Sequence, residues 1–195
     1  MKKTLIACAL SLAALGSAQA QIAVPAANPL HYVLGIGYTS GGDKLATAYY
    51  TDGNSANIRA GQGLLLQAGL EYRVLPEMSI QGTIGYHDDS ANATNGHADF
   101  TRVPLELMAY YHVNAQWRVG GGARYVSSAK LHGSGFANGL DMSFQDTTGA
   151  VMEAEYFVNP KFSVKVRAVK ESYKLADYDY KINGDHIGVL AAWYF

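Results

Sequence analysis

His132, Gly133 and Ser134 stand in succession, with Asp141 and Asp146 downstream. A serine, a histidine and a carboxylate are the set that could split an ester or amide, as nucleophile, base and orienter. Here the tripeptide falls in a glycine-rich link, and no complete nucleophile, base and orienter set can be assigned from it. A loop that happens to hold a His and a Ser is expected, and no catalytic residue is predicted. Asp177, Asp179 and Asp185 in the last link could gather a divalent cation, although a solvated acidic loop is the favoured account. The six histidines are scattered without metal-ligand spacing. Neither a metal nor any other cofactor is expected. Gly120-Gly121-Gly122 sits inside a strand pattern, not between a strand and a helix, so it is no phosphate loop.

A second set of charges is far more regular. Glu71, Arg73, Glu106, Arg118, Arg124, Glu153, Glu155, Lys165 and Arg167 all share one parity of segments that alternate with period two. Eight such segments read as strands, at roughly 31–39, 64–73, 78–87, 103–112, 116–125, 147–157, 161–171 and 186–195. Their links alternate between tight and long. The tight ones fall at Leu75-Pro76-Glu77, Asn114-Ala115 and Asn159-Pro160, inside three related stretches, EYRVLPEMSIQG, YYHVNAQWRVGG and EYFVNPKFSVKV. The long ones are 40–63, 88–102, 126–146 and 172–185. The first should hold a hairpin of its own, with Ala46–Tyr50 and Asn57–Gly61 flanking the tight-turn pair Asp52-Gly53. Short turns at one end and long links at the other describe an antiparallel meander without helices.

The opposite parity is apolar, for example Leu34, Ile36, Leu66, Ile84, Leu105, Leu107, Met152, Val164 and Val166. Volume decides which parity lies inside. An eight-stranded barrel is just wide enough for side chains to fill, and more than thirty mostly large apolar residues do not fit. The charged parity, which also carries Gly35, Gly37, Gly69, Gly85, Gly120, Gly122, Gly149 and Gly188, suits a crowded interior. The apolar parity must then meet lipid. Tyr72, Tyr111, Trp117, Tyr156, Phe162, Trp193 and Phe195 fall beside the short turns or the C-terminus, and Tyr38, Tyr86 and Tyr125 beside the long links. Two aromatic rings with aliphatics between them form the girdles of a transmembrane barrel. Ten residues at ~3.3 Å, tilted about 40°, span roughly the 25 Å of its apolar band. The inward charges are expected to pair across the lumen and plug it, since an unpaired buried ion costs several kcal/mol. A gated polar conduit is the alternative.

The ends and composition agree. Lys2 and Lys3, the apolar Leu5–Leu15 and the small-x-small Ala18-Gln19-Ala20 make residues 1–20 a cleavable signal peptide, and 21–30 a short periplasmic lead. Removing Lys2 and Lys3 from the 15 basic side chains leaves 13 against 16 acidic ones. Such a balance gives no reason to expect nucleic acid. The single cysteine, Cys8, falls within the signal peptide, so stability cannot come from disulfides. One domain, 31–195, remains.

The stretch His186-Ile187-Gly188-Val189-Leu190-Ala191-Ala192-Trp193-Tyr194-Phe195 resembles the C-terminal signal of bacterial outer-membrane proteins, carried by Ile187, Val189, Ala191, Trp193 and Phe195. Val103–Val126 and Thr148–Tyr173 are similar to the small eight-stranded barrels of the outer-membrane protein W and A type. The resemblance implies an all-β, eight-stranded antiparallel up-and-down transmembrane barrel in the outer membrane, with short periplasmic turns and four longer extracellular loops. It also implies lipid and lipopolysaccharide as surroundings, and barrel-assembly machinery and periplasmic chaperones during biogenesis. A monomer is expected. Such barrels include adhesins, conduits and lipid-modifying enzymes, so fold alone does not give function. Lipid A deacylases use His, Ser and Glu on a barrel of this size, but a Glu at a comparable distance after Ser134 is missing. A non-enzymatic barrel with surface loops is the first expectation, a narrow channel for small or hydrophobic solutes the second, and a lipid A-modifying enzyme the third.

Overall fold

The computed structural model describes residues 29–49, 55–93, 96–135, 141–176 and 180–195; the expected signal peptide and lead up to residue 28 lie outside them. Among the described residues thirteen strands run in chain order: β1 (Leu30–Gly41), β2 (Lys44–Tyr49), β3 (Ser55–Arg59), β4 (Gly63–Leu75), β5 (Met78–Ala93), β6 (Gly96–His112), β7 (Trp117–Gly135), β8 (Met142–Ser143), β9 (Thr147–Asn159), β10 (Phe162–Lys170), β11 (Ser172–Lys174), β12 (Lys181–Asn183) and β13 (His186–Tyr194). Eight of them, β1, β4, β5, β6, β7, β9, β10 and β13, pair antiparallel with their neighbours. β13 then pairs with β1, Ile36 opposite Ala191, and the sheet closes on itself. Closure removes the free edge that a spanning sheet could not leave in lipid, where backbone N–H and C=O groups need partners.

Alternation sorts the side chains as the volume argument requires. Leu34, Ile36, Leu66, Ile84, Leu107, Met152, Val166 and Val189 are exposed on the outside, while Glu71, Glu106, Arg118, Arg124, Glu153, Glu155, Lys165 and Arg167 are buried. The lumen is tight at glycine positions. A Cβ on Gly120 would stand 2.4 Å from the Tyr110 ring, so a larger residue there would displace that ring.

Two links expected as loops, 88–102 and 126–146, are largely strand. β5 continues to Ala93, β6 begins at Gly96, and β7 runs nineteen residues to Gly135. The reason is a change of chemistry between the two faces. Above Tyr86 and Tyr125 the inward positions become apolar, and Ala91, Ala98, Phe100, Val126, Ala129 and Leu131 form one buried cluster. The outward positions become polar, as at Asp88, Ser90, Asp99, Thr101, Lys130 and His132. On β7 a bulge opposite Thr101–Val103, with Ser128 at φ 54°, also shifts the inward positions from even to odd numbers. The expected hairpin in the first link is β2–β3, with Ala46 opposite Ile58; its tip lies outside the described residues. Ile58 and Ala60 from this hairpin, with Phe144, Tyr173 and Ile182, complete the cluster and cap the barrel at the long-link end.

Candidate functional site

Nine inward charges form one unbroken chain of alternating sign through the lumen. From the capped end, Glu171 accepts from Arg124 Nε at 2.9 Å, and Arg124 NH1 donates to Glu106 at 2.6 Å. The other Glu106 oxygen accepts from Arg167 NH2 at 2.7 Å, and the same nitrogen lies 3.2 Å from Glu153. Lys165 Nζ stands 3.5 Å from both Glu153 and Glu155. Arg118 closes the chain, donating at 2.7 Å from Nε to Glu155 and at 2.7 Å from NH1 to Glu71. None of the nine is more than 7% exposed. Charge-assisted hydrogen bonds in such surroundings are short and directional, and each ion offsets the desolvation of the next.

Neutral inward side chains bond further oxygens of Glu153 and Glu155. Tyr110 donates to Glu153, Ser163 to Glu155, and Tyr194 to Glu155 at 2.6 Å. Tyr194 also accepts from Arg118 NH2 at 2.6 Å, and the Arg118 guanidinium lies 4.0 Å from the Tyr110 ring centre. At the upper end Arg124 reaches His87 Nδ1 at 3.3 Å, and His87 Nε2 lies 2.8 Å from the Thr39 hydroxyl.

Of the nine charges expected inside, eight belong to this chain. Arg73 does not: it is exposed at the short-turn end, with its guanidinium 3.3 Å from His112. The strand ends there and the wall no longer encloses its side chain. The structure adds Glu171 and Arg102. Glu171 ends the 161–171 segment on the inward parity and was legible by the same alternation. Arg102 lay hidden in a link expected as a loop. It is fully buried, donates to the carbonyls of Ala60 and Gln62, the latter at 2.6 Å, and stacks 4.5 Å from Phe100. It thereby straps the β3–β4 corner to the wall beneath the cap. Asp89, on the extension of β5, accepts from the Arg59 N–H at 2.9 Å; burial raises its pKa above the usual carboxylate value.

Tyr72, Tyr111, Trp117, Trp193 and Phe195 are exposed outside near the short-turn end. Tyr156 and Phe162 are half-buried because their rings pack against Trp117 and Trp193, at 4.9 and 5.2 Å between centres. Ile187, Val189, Trp193 and Phe195 face outward on or just after β13, and Ala191 is half-buried beside them. His132, Gly133 and Ser134 are part of β7 and not of a loop. His132 Nδ1 lies 2.6 Å from Asp141, Ser134 stands opposite His97, and Asp146 instead accepts from Tyr125 at 2.5 Å. Asp177 and Asp179 lie outside the described residues. Among the described residues no three His, Cys, Asp or Glu side chains are grouped to hold a metal ion.

Below the charges, a cavity of about 1030 Å3 opens between the short turns, lined by His31, Arg73, His112 and Phe157. It ends against Phe157, whose ring lies 5.0 Å from the Arg118 guanidinium.

Comparison with known proteins places this architecture. Ail, the attachment invasion locus protein of Yersinia pestis, is 18% identical, with 85% of this chain and 96% of that chain covered at a TM-score of 0.50. OprG from Pseudomonas aeruginosa is 15% identical over 86% of this chain and 96% of its own, also at 0.50. At such identities the likeness is one of fold. No curated protein matches the sequence. Residues 6–195 match the sequence model of the outer membrane protein beta-barrel domain. The chain therefore belongs to that family, and its eight-stranded wall crosses the bacterial outer membrane with short turns in the periplasm and long links outside.

Proposed function

We propose that this protein is a closed, non-enzymatic outer-membrane barrel that anchors extracellular hairpins for contact with envelope or external molecules. The carrying observation is the chain of nine alternating charges from Glu171 to Glu71, which are linked side chain to side chain inside the barrel. An apolar cap above it and the Arg102 strap add a second closure. A permeating ion would have to break charge-assisted bonds made in a low-dielectric interior, where they are strong. Recording from the purified protein in planar bilayers should give no steady conductance. A steady single-channel current would overturn the plugged lumen.

A narrow conduit is the second reading, favoured by the open periplasmic cavity of about 1030 Å3. The same recordings decide between the two. On either reading we propose that the alternation of Ile187, Val189, Ala191, Trp193 and Phe195 is what barrel-assembly machinery engages during biogenesis, and that the protein is a monomer.

A further inference from the structure

The barrel wall is uneven in height. β10 stops at Lys170 and β13 starts at His186, while β5, β6 and β7 rise past the Tyr86 and Tyr125 girdle. On the outside of the low wall lies a recess of about 510 Å3 whose lining includes Thr148, Lys170, Lys181, Asp43 and Asp185. Its level is fixed by register. Lys170 takes the next outward position after Ala168, and Thr148 stands opposite girdle residue Tyr125. The recess therefore begins where the apolar belt ends.

Its chemistry is mixed in a specific way. Asp43 accepts from the Asn183 N–H at 2.8 Å and Asp185 from the Glu171 N–H at 2.9 Å, so both carboxylates are held by backbone at the recess. Each keeps a second oxygen as acceptor. Lys170 and Lys181, the two cationic residues of its lining, belong to the same recess. Ammonium groups suit phosphate, whereas fixed carboxylates and a threonine hydroxyl suit sugar hydroxyls.

We propose that this recess binds the phosphorylated-saccharide headgroup of an outer-leaflet lipid, with Lys170 and Lys181 on phosphate and Asp43, Asp185 and Thr148 on the sugar. The assignment rests on the long-link end facing the outer leaflet and is independent of whether the lumen conducts.

The test is native mass spectrometry of the full barrel in detergent, titrated with bisphosphorylated lipid A, with the same lipid after dephosphorylation, and with inorganic phosphate. One bisphosphorylated lipid should be retained, and dephosphorylation should weaken binding about tenfold. The Lys170→Gln/Lys181→Gln double variant should lose a similar factor, as expected for two partly exposed ion pairs. Lys130→Gln on the tall wall should bind as wild type, and heat-shifted electrophoretic mobility reports that each variant is folded. Wild-type affinity in the double variant, or an equal loss in Lys130→Gln, overturns the site. Inorganic phosphate displacing the lipid with equal affinity overturns the lipid as its ligand.

Discussion

Glu106 lies between two guanidinium groups, Arg124 at 2.6 Å and Arg167 at 2.7 Å, one on each carboxylate oxygen. Glu106→Gln keeps the shape and removes the charge both depend on. Stranding one partner of a buried pair costs about 3–5 kcal/mol. Urea unfolding in lipid vesicles should therefore show a loss of that order, and a loss below about 1 kcal/mol would mean that the chain of charges does little to hold the lumen. Most of this chain was legible from parity alone, because a charge every second residue has no other place in so narrow a barrel. Pairing was not legible. Arg118 joins Glu71 and Glu155 across positions 47 and 37 residues away, and only the closed sheet brings those positions together. Arg73 and Arg102 exchanged roles for a local reason: one falls where the wall ends, the other where it unexpectedly continues.

The extended hairpins teach a different lesson at the scale of elements. β5, β6 and β7 keep their strand backbone across the membrane surface, but the solvent on their outer face changes from lipid to water. The apolar parity must change sides with it, so a pattern sought on one parity fades just where the strand goes on. The bulge at Ser128 compounds this on β7. The cap that results is a small water-side core around Phe100, whose ring packs edge-on to Phe144 and Tyr173, at 5.4 and 5.6 Å between centres. Phe100→Ala should cost about 3–5 kcal/mol locally. Because local opening need not unfold the wall, brief proteolysis should nick the β2–β3 or β11–β12 hairpin sooner while heat-shifted mobility is unchanged. Unaltered proteolysis would show that the hairpins are held by something other than this cluster.

As a whole the molecule is built with polar side chains in its centre and apolar ones around its waist, and adjacent residues test that arrangement. Val166 is 57% exposed on the belt and Arg167 only 1% exposed within the lumen. Val166→Arg places a cation at mid-membrane, at a cost of ~2–4 kcal/mol, and should lower the folded fraction in a heat-modifiability gel. Arg167→Lys should be tolerated, since Arg167 meets both of its carboxylates through a single nitrogen, NH2. Equal behaviour of the two variants would reverse the assignment of faces. The same centre constrains how the protein can be made. Arg118 on β7 needs Glu71 on β4, and Arg124 on β7 needs Glu171 beyond β10. A polypeptide that threaded into the bilayer one hairpin at a time would carry Arg118 and Arg124 in without these partners. Biogenesis must instead be concerted, with distant strands meeting before or during their passage into the membrane, so that a half-built barrel is never a resting state.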